Sequence, residues 1–146
     1  MSLNRRKERE IVFQMLFAAQ FSPEVETAQL YETLTSQWDL PAAAQSEYIK
    51  KAFCGAREYG PVAWEKISAN ARGWKIDRLS KTTLSILQLA LFEMEQMDEI
   101  PTKIAINEAV ELAKKYATED DASYINGVLG SFVRENPPVK DEDAKE

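Results

Sequence analysis

The stretch from Ser80 to Met97, SKTTLSILQLALFEMEQM, constrains the chain more than any other. On a helix its apolar side chains Leu84, Ile86, Leu87, Leu89, Ala90, Leu91, Phe92, Met94 and Met97 point almost all the way round. A surface helix buries one stripe, whereas a helix that is apolar on most sides must be enclosed by other elements. No segment alternates apolar and polar residues as a half-buried strand does, and no internal repeat is present. The partners of this segment are therefore expected to be helices. At 146 residues the chain suits one domain with one core. The expected fold is all-α, a single-domain helical bundle of about six or seven helices.

In chain order, Asn4 to Phe21 reads as a first helix, with Ile11, Val12, Met15, Leu16 and Ala19 as its main apolar arc. Ser22-Pro23-Glu24 is a helix-start signal, predicting a second helix that runs to about Trp38 and is broken by Asp39-Leu40-Pro41. A third helix runs to Tyr59, burying Ile49, Ala52, Phe53 and Ala56. Gly60-Pro61 is expected to separate it from a short fourth one that Gly73 closes. Trp74 to Leu79 is a connector to the central segment.

Two amphipathic helices follow between Pro101 and Arg134. In the first, Ile106, Ala109, Val110, Ala113 and Ala117 form a stripe, and Pro101 suits its opening turn. Thr118, with Asp121 three residues on, reads as the N-cap of the second, whose buried face is Ile125, Val128, Leu129, Phe132 and Val133. After Pro137-Pro138 the charged remainder has almost nothing to bury. The expected division is a helical domain over 1–136 and a disordered tail over 137–146.

Composition removes several function classes. The chain has no histidine and one cysteine, so no zinc set, Cys–His pair or Ser–His pair can be assembled. Its five scattered glycines form no phosphate-cradling loop. No catalytic residue, metal or cofactor is expected, and an enzyme is disfavoured. No apolar run approaches bilayer length and no signal peptide is evident, so a cytoplasmic protein without a membrane role is expected.

A net charge of −6 and a pI near 4.9 oppose bulk attraction to nucleic acid. Locally the balance reverses, because Arg5, Arg6, Lys7 and Arg9 crowd the first ten positions. Arg6, Arg9, Phe13 and Phe17 lie to one side of the first helix. Cations beside exposed aromatics suit single-stranded RNA, the charge meeting phosphate and the ring stacking on a base. The same spacing also suits buried phenylalanines beside solvated arginines, and the sequence leaves both readings open.

PTKIAINEAVELAKKY followed by YINGVLGSF resembles the signature of the NusB family of bacterial transcription antitermination factors. RRKEREIVFQMLFAAQF and ILQLALFEM agree with it, so the likeness runs from roughly Asn4 to Arg134. The resemblance implies a NusB-like bundle that binds the boxA element of nascent ribosomal RNA. It implies two partners, NusE (a small-subunit ribosomal protein) and the RNA polymerase antitermination complex.

The resemblance assigns RNA-binding roles to Arg5, Arg6, Lys7, Arg9, Phe17, Lys103, Asp120 and Tyr124. Lys103 would meet phosphate and Tyr124 would stack on a base or rim the core. Asp120 would accept from a base edge or cap its helix. Gln88 stands where many relatives carry arginine and Phe17 where tyrosine is common, changes that weaken RNA contacts if those positions touch RNA. The alternative is a protein–protein adaptor, or a homodimer that covers its RNA surface. The same domain type also opens some ribosomal-RNA cytosine methyltransferases, but this chain shows no methyl-donor site or catalytic cysteine motif.

Overall fold

The structure is a computed structural model that describes residues 4–40, 46–70, 79–138 and 140. Among the described residues every regular element is an α-helix. In order come α1 (Arg5–Ala19), α2 (Thr27–Gln37), α3 (Glu47–Asn70), α4 (Lys81–Gln96), α5 (Thr102–Tyr116) and α6 (Glu119–Glu135). The helix starts are chemically defined. The Asn4 side chain accepts from the Lys7 N–H at 2.8 Å, and Ser80 Oγ accepts from Thr83 N–H at 3.1 Å. Thr118 and Asp121 form a reciprocal capping box at the start of α6, as their spacing predicts.

The segment that is apolar on most sides becomes the axis of the bundle. α4 packs against α1, α3, α5 and α6, and Ile86, Leu87, Leu89 and Leu91 are all but inaccessible to solvent. Its Phe92 ring lies so close over α3 that a Cβ built on Gly55 would sit 2.1 Å from the ring's Cζ. A mid-helix glycine costs about 1 kcal/mol against alanine. Here the missing side chain lets the aromatic ring lie on the helix backbone.

Two expectations change. Gly60-Pro61 does not divide the helix, because α3 runs through both residues for 24 residues. Pro61 faces solvent, while Ile49, Ala52, Phe53, Ala56, Ala63 and Ile67 form one buried stripe that continues past it. Gln88 Nε2 donates to the Ala56 carbonyl at 2.8 Å, a donor from α4 in the turn just before the proline. Burial on both sides thus outweighs one missing ladder bond. Ser22-Pro23-Glu24 makes a turn, with Val25 N–H bonded to Ser22 O, and α2 begins later at Thr27. Arg57 holds that turn from α3, donating to Ser22 O at 3.0 Å and Thr27 Oγ1 at 2.9 Å. Pro41, Gly73 and most of the connector lie outside the described residues.

Within the expected tail, Lys140 is placed. Its ammonium donates to the carbonyls of Glu93 and Met97 at 3.0 Å each and of Ile100 at 2.6 Å, meeting the negative end of α4. The tail from 141 onward lies outside the described residues. Among the described residues no helix is long and apolar enough to cross a membrane.

Adding a methyl at the closest approach in the core should cost more than helix propensity returns. Gly55→Ala is expected to lower unfolding stability by about 1–3 kcal/mol, read by thermal or denaturant melting.

Candidate nucleic-acid interface

The geometry of α1 decides which of its cations face outward. Val12, Phe13 and Leu16 are buried, and Arg9 continues that stripe one turn upstream. Arg9 is only 3% exposed. Its Nε lies 3.1 and 3.0 Å from the two Glu93 oxygens, and Nη2 lies 2.9 Å from Oε2. The Tyr48 hydroxyl donates to the same Oε2 at 2.9 Å. Burial opposes the Arg9 charge, but Glu93 more than offsets it and the guanidinium pKa is raised. Burial, then the Glu93 charge, pushes the Tyr48 phenol well up, so it stays a donor. Of the four N-terminal cations expected to meet RNA, Arg9 is therefore the one turned inward, joining α1, α3 and α4.

Arg5, Arg6 and Lys7 are exposed. The Arg5 guanidinium lies 4.2 Å over the Tyr48 ring and pairs with Glu8 at 3.2 Å. Arg6 reaches α5, with Nε 3.2 Å from Glu108 Oε2 and Nη2 3.1 Å from Oε1. Lys7 lies 3.4 Å from Glu10, which also accepts from Lys115 of α5. That Lys115 bond, outweighing modest burial and aided by Lys7, holds the Glu10 carboxyl below its ordinary range.

Toward the other end of α1 the surface turns aromatic. Phe13 is buried with its ring centroid 4.8 Å from that of Tyr116, whose hydroxyl accepts from Gln14 at 3.2 Å. Phe17 is half-buried and meets Phe21 edge-on at 5.4 Å. The two open readings thus separate, with Phe13 going to the core and Phe17 to the rim. A hollow of about 440 Å³ runs between Phe13, Phe17, Trp38, Thr82 and Tyr116.

Trp38 is held there by the turn that ends α2, where Asp39 N–H bonds Ser36 O and Leu40 N–H bonds Thr35 O. Asp39 adopts φ 53°, the left-handed conformation this turn demands. Phe21 is 62% exposed, with the Lys81 ammonium 5.3 Å above its ring.

The remaining expected site residues are not gathered into one patch. Lys103 is exposed in the first turn of α5, and Asp120 is exposed in the first turn of α6. They stand at opposite ends of α5, on the order of 20 Å apart along its axis. Capping at Thr118 is done by Asp121, leaving the Asp120 side chain outside the capping box. Tyr124 is half-buried against the core, and burial raises its phenol pKa.

Comparison with known proteins matches these elements as a set. The NusB family profile covers residues 6–134. The chain belongs to the NusB family. It is 38% identical over 131 residues to the transcription antitermination protein NusB of Agathobacter rectalis, an alignment covering 90% of this chain and all of that one. The crystal structure of T. maritima NusB superposes with a TM-score of 0.80 at 29% identity, covering 98% of this chain and 99% of the other. A crystal structure of antitermination factors NusB and NusE in complex with double-stranded RNA shares the fold. It superposes with a TM-score of 0.76 at 23% identity over 90% of this chain and 96% of the matched one.

Within this NusB fold, the departure at Gln88 lies away from the surface. Gln88 is buried between α4 and α3, bonded to Ala56 O, so glutamine there serves packing. Sequence reasoning missed Phe21, Trp38, Lys81, Lys115 and Tyr116 as neighbours of the hollow and its bordering cations. Only Arg9 had a readable signal, since it sits in register with apolar Val12, Phe13 and Leu16, and Glu93 interrupts the apolar wall of the central helix.

Removing one partner from the buried pair should destabilise far more than a surface change. Arg9→Ala is expected to cost about 3–5 kcal/mol in a denaturant melt. The lowered Glu10 pKa contributes stability that is complete above the ordinary carboxylate range and is lost as pH falls through the depressed folded value. Glu10→Gln should flatten the fall in melting temperature on acidification from about pH 6 to pH 3.

Proposed function

We propose that this protein binds the boxA element of nascent ribosomal RNA together with NusE, as a non-enzymatic factor of an RNA polymerase antitermination complex in the bacterial cytoplasm. One observation carries the RNA reading. The hollow between Phe17, Trp38 and Tyr116 is aromatic and open, and cations border it at both ends, Lys81 at one and Lys115 with the α1 amino-terminal row at the other. Rings that accept bases and ammonium or guanidinium groups that accept phosphate are the two components of single-strand recognition.

In this reading Arg5, Arg6 and Lys7 meet phosphate and Phe17 stacks on a base. Arg9 acts from inside by holding α1 in place. Lys103, Asp120 and Tyr124 serve RNA segments that continue along the α5–α6 pair. Family membership over residues 6–134 supports the antitermination role, and the complex of NusB and NusE with double-stranded RNA in the matched fold supports NusE and RNA as partners. A basic partner would also supply phosphate contacts that a chain of net charge −6 lacks.

The test is fluorescence anisotropy of labelled boxA RNA at several salt concentrations, with and without NusE. Binding should tighten with NusE and weaken steeply with salt. Arg5→Gln with Lys7→Gln should reduce the salt slope by about 0.7 for each phosphate no longer neutralised, and Phe17→Ala should cost about 1–3 kcal/mol. No RNA binding in either condition, with NusE still bound, would leave a protein adaptor instead.

A further inference from the structure

The cations of the α1 amino-terminal row are not bare. Arg5, Arg6, Lys7, Arg9 and Lys115 each lie within salt-bridge distance of a carboxylate. Two of these carboxylates, Glu8 and Glu10, are on α1, and Glu93 holds the buried Arg9 from α4, whereas Glu108 reaches the exposed Arg6 from α5 and grips it by two parallel bonds, at 3.2 and 3.1 Å. That fork is the geometry by which a guanidinium takes a phosphate.

The two partners are also unequally held. The Arg6 side chain is 69% exposed and can swing, whereas Glu108 is 16% exposed and fixed in the wall of a small hollow. When Arg6 leaves, Glu108 keeps a cationic neighbour, because Arg9 Nη1 lies 3.9 Å from its Oε1 and is itself anchored on Glu93. Release therefore leaves Glu108 beside a guanidinium whose charge it shares with Glu93, which lessens the cost of losing Arg6. An exposed pair of this kind contributes little net stability, so an incoming phosphate can exchange for it.

We propose that Glu108 is an internal competitor for RNA phosphate, holding Arg6 until a phosphate displaces it and so restraining sequence-independent RNA binding. This rests on the RNA-binding reading above. Attraction to any phosphate chain is the least discriminating part of RNA affinity, and a built-in carboxylate reduces it without touching base contacts. Arg6 is then an exchangeable ligand of Glu108 in the free protein.

The deciding experiment compares wild type, Glu108→Gln, Arg6→Gln and the double variant. Each is titrated by anisotropy against labelled boxA RNA and a labelled uridine 12-mer at several salt concentrations, with circular dichroism melts as a check on folding. Glu108→Gln should bind both RNAs several-fold more tightly with a steeper salt slope, and the gain should vanish in the Arg6→Gln background. If wild type binds and Glu108→Gln binds no more tightly, or gains equally without Arg6, the competitor role is wrong while RNA binding stands. If neither wild type nor variant binds either RNA, the RNA reading falls with it. Should Glu108→Gln fail to fold, Glu108→Asp decides, since it keeps the charge but withdraws the carboxylate by one methylene. It should show a smaller gain, and no gain would overturn the proposal.

Discussion

The ion pair between Arg9 and Glu93, completed by the Tyr48 hydroxyl, sets the frame for everything on the surface of this protein. It ties α1, α3 and α4 at one buried point, where neither charge can be left unpaired without large cost. Compared with apolar packing, such a pair adds little net stability, but it is compatible with only one rotation of α1, the one that also buries Val12, Phe13, Met15 and Leu16. Turning α1 by one residue, about 100°, would withdraw Arg9 from Glu93. With that rotation chosen, Arg5, Arg6 and Lys7 face outward, Phe13 closes on Tyr116, and Phe17 is left at the rim.

The second constraint is electrostatic. A chain with net charge −6 cannot hold a polyanion by its overall field, so any attraction has to be local. The amino-terminal row is local but internally balanced, since Glu8, Glu10 and Glu108 lie against it. In the RNA-binding reading proposed above, such a surface would favour a phosphate chain aligned with the aromatic hollow over one arriving at random. In that reading the aromatic rings would supply contact that does not depend on charge, and the cations would add to it once their internal partners are exchanged.

The hollow itself is assembled by α4. Because that helix is apolar nearly all round, α1, α3, α5 and α6 all lie against it, and its exposed first turn brings Lys81 and Thr82 beside α1. The turn ending α2 then delivers Trp38 to the same place, and the last residue of α5 delivers Tyr116. Four separate segments supply one groove. This arrangement keeps the hollow on helix ends and edges while the core residues Ile86, Leu87 and Leu91 remain enclosed.

Much of this was legible in the chain itself. Hydrophobic periodicity set the helix count among the described residues to within one, the all-round apolar pattern named α4 as central, and Thr118 with Asp121 announced the start of α6. These are local signals, in which a residue and its neighbours within two turns carry the information. Pro61 misled because a proline's local penalty is visible in sequence, while the buried stripe that overrides it depends on α4 lying opposite. Arg9 is in register with apolar Val12, Phe13 and Leu16, but the carboxylate 84 positions away that makes it structural meets it only in the closed fold. The sequence by itself thus determined most of the helices, the all-α bundle and the family. Which cations face solvent, which phenylalanine is core, and that Trp38, Phe17 and Tyr116 share a hollow were decided by tertiary packing, because burial and charge pairing are properties of surfaces that meet only after the chain has closed on itself.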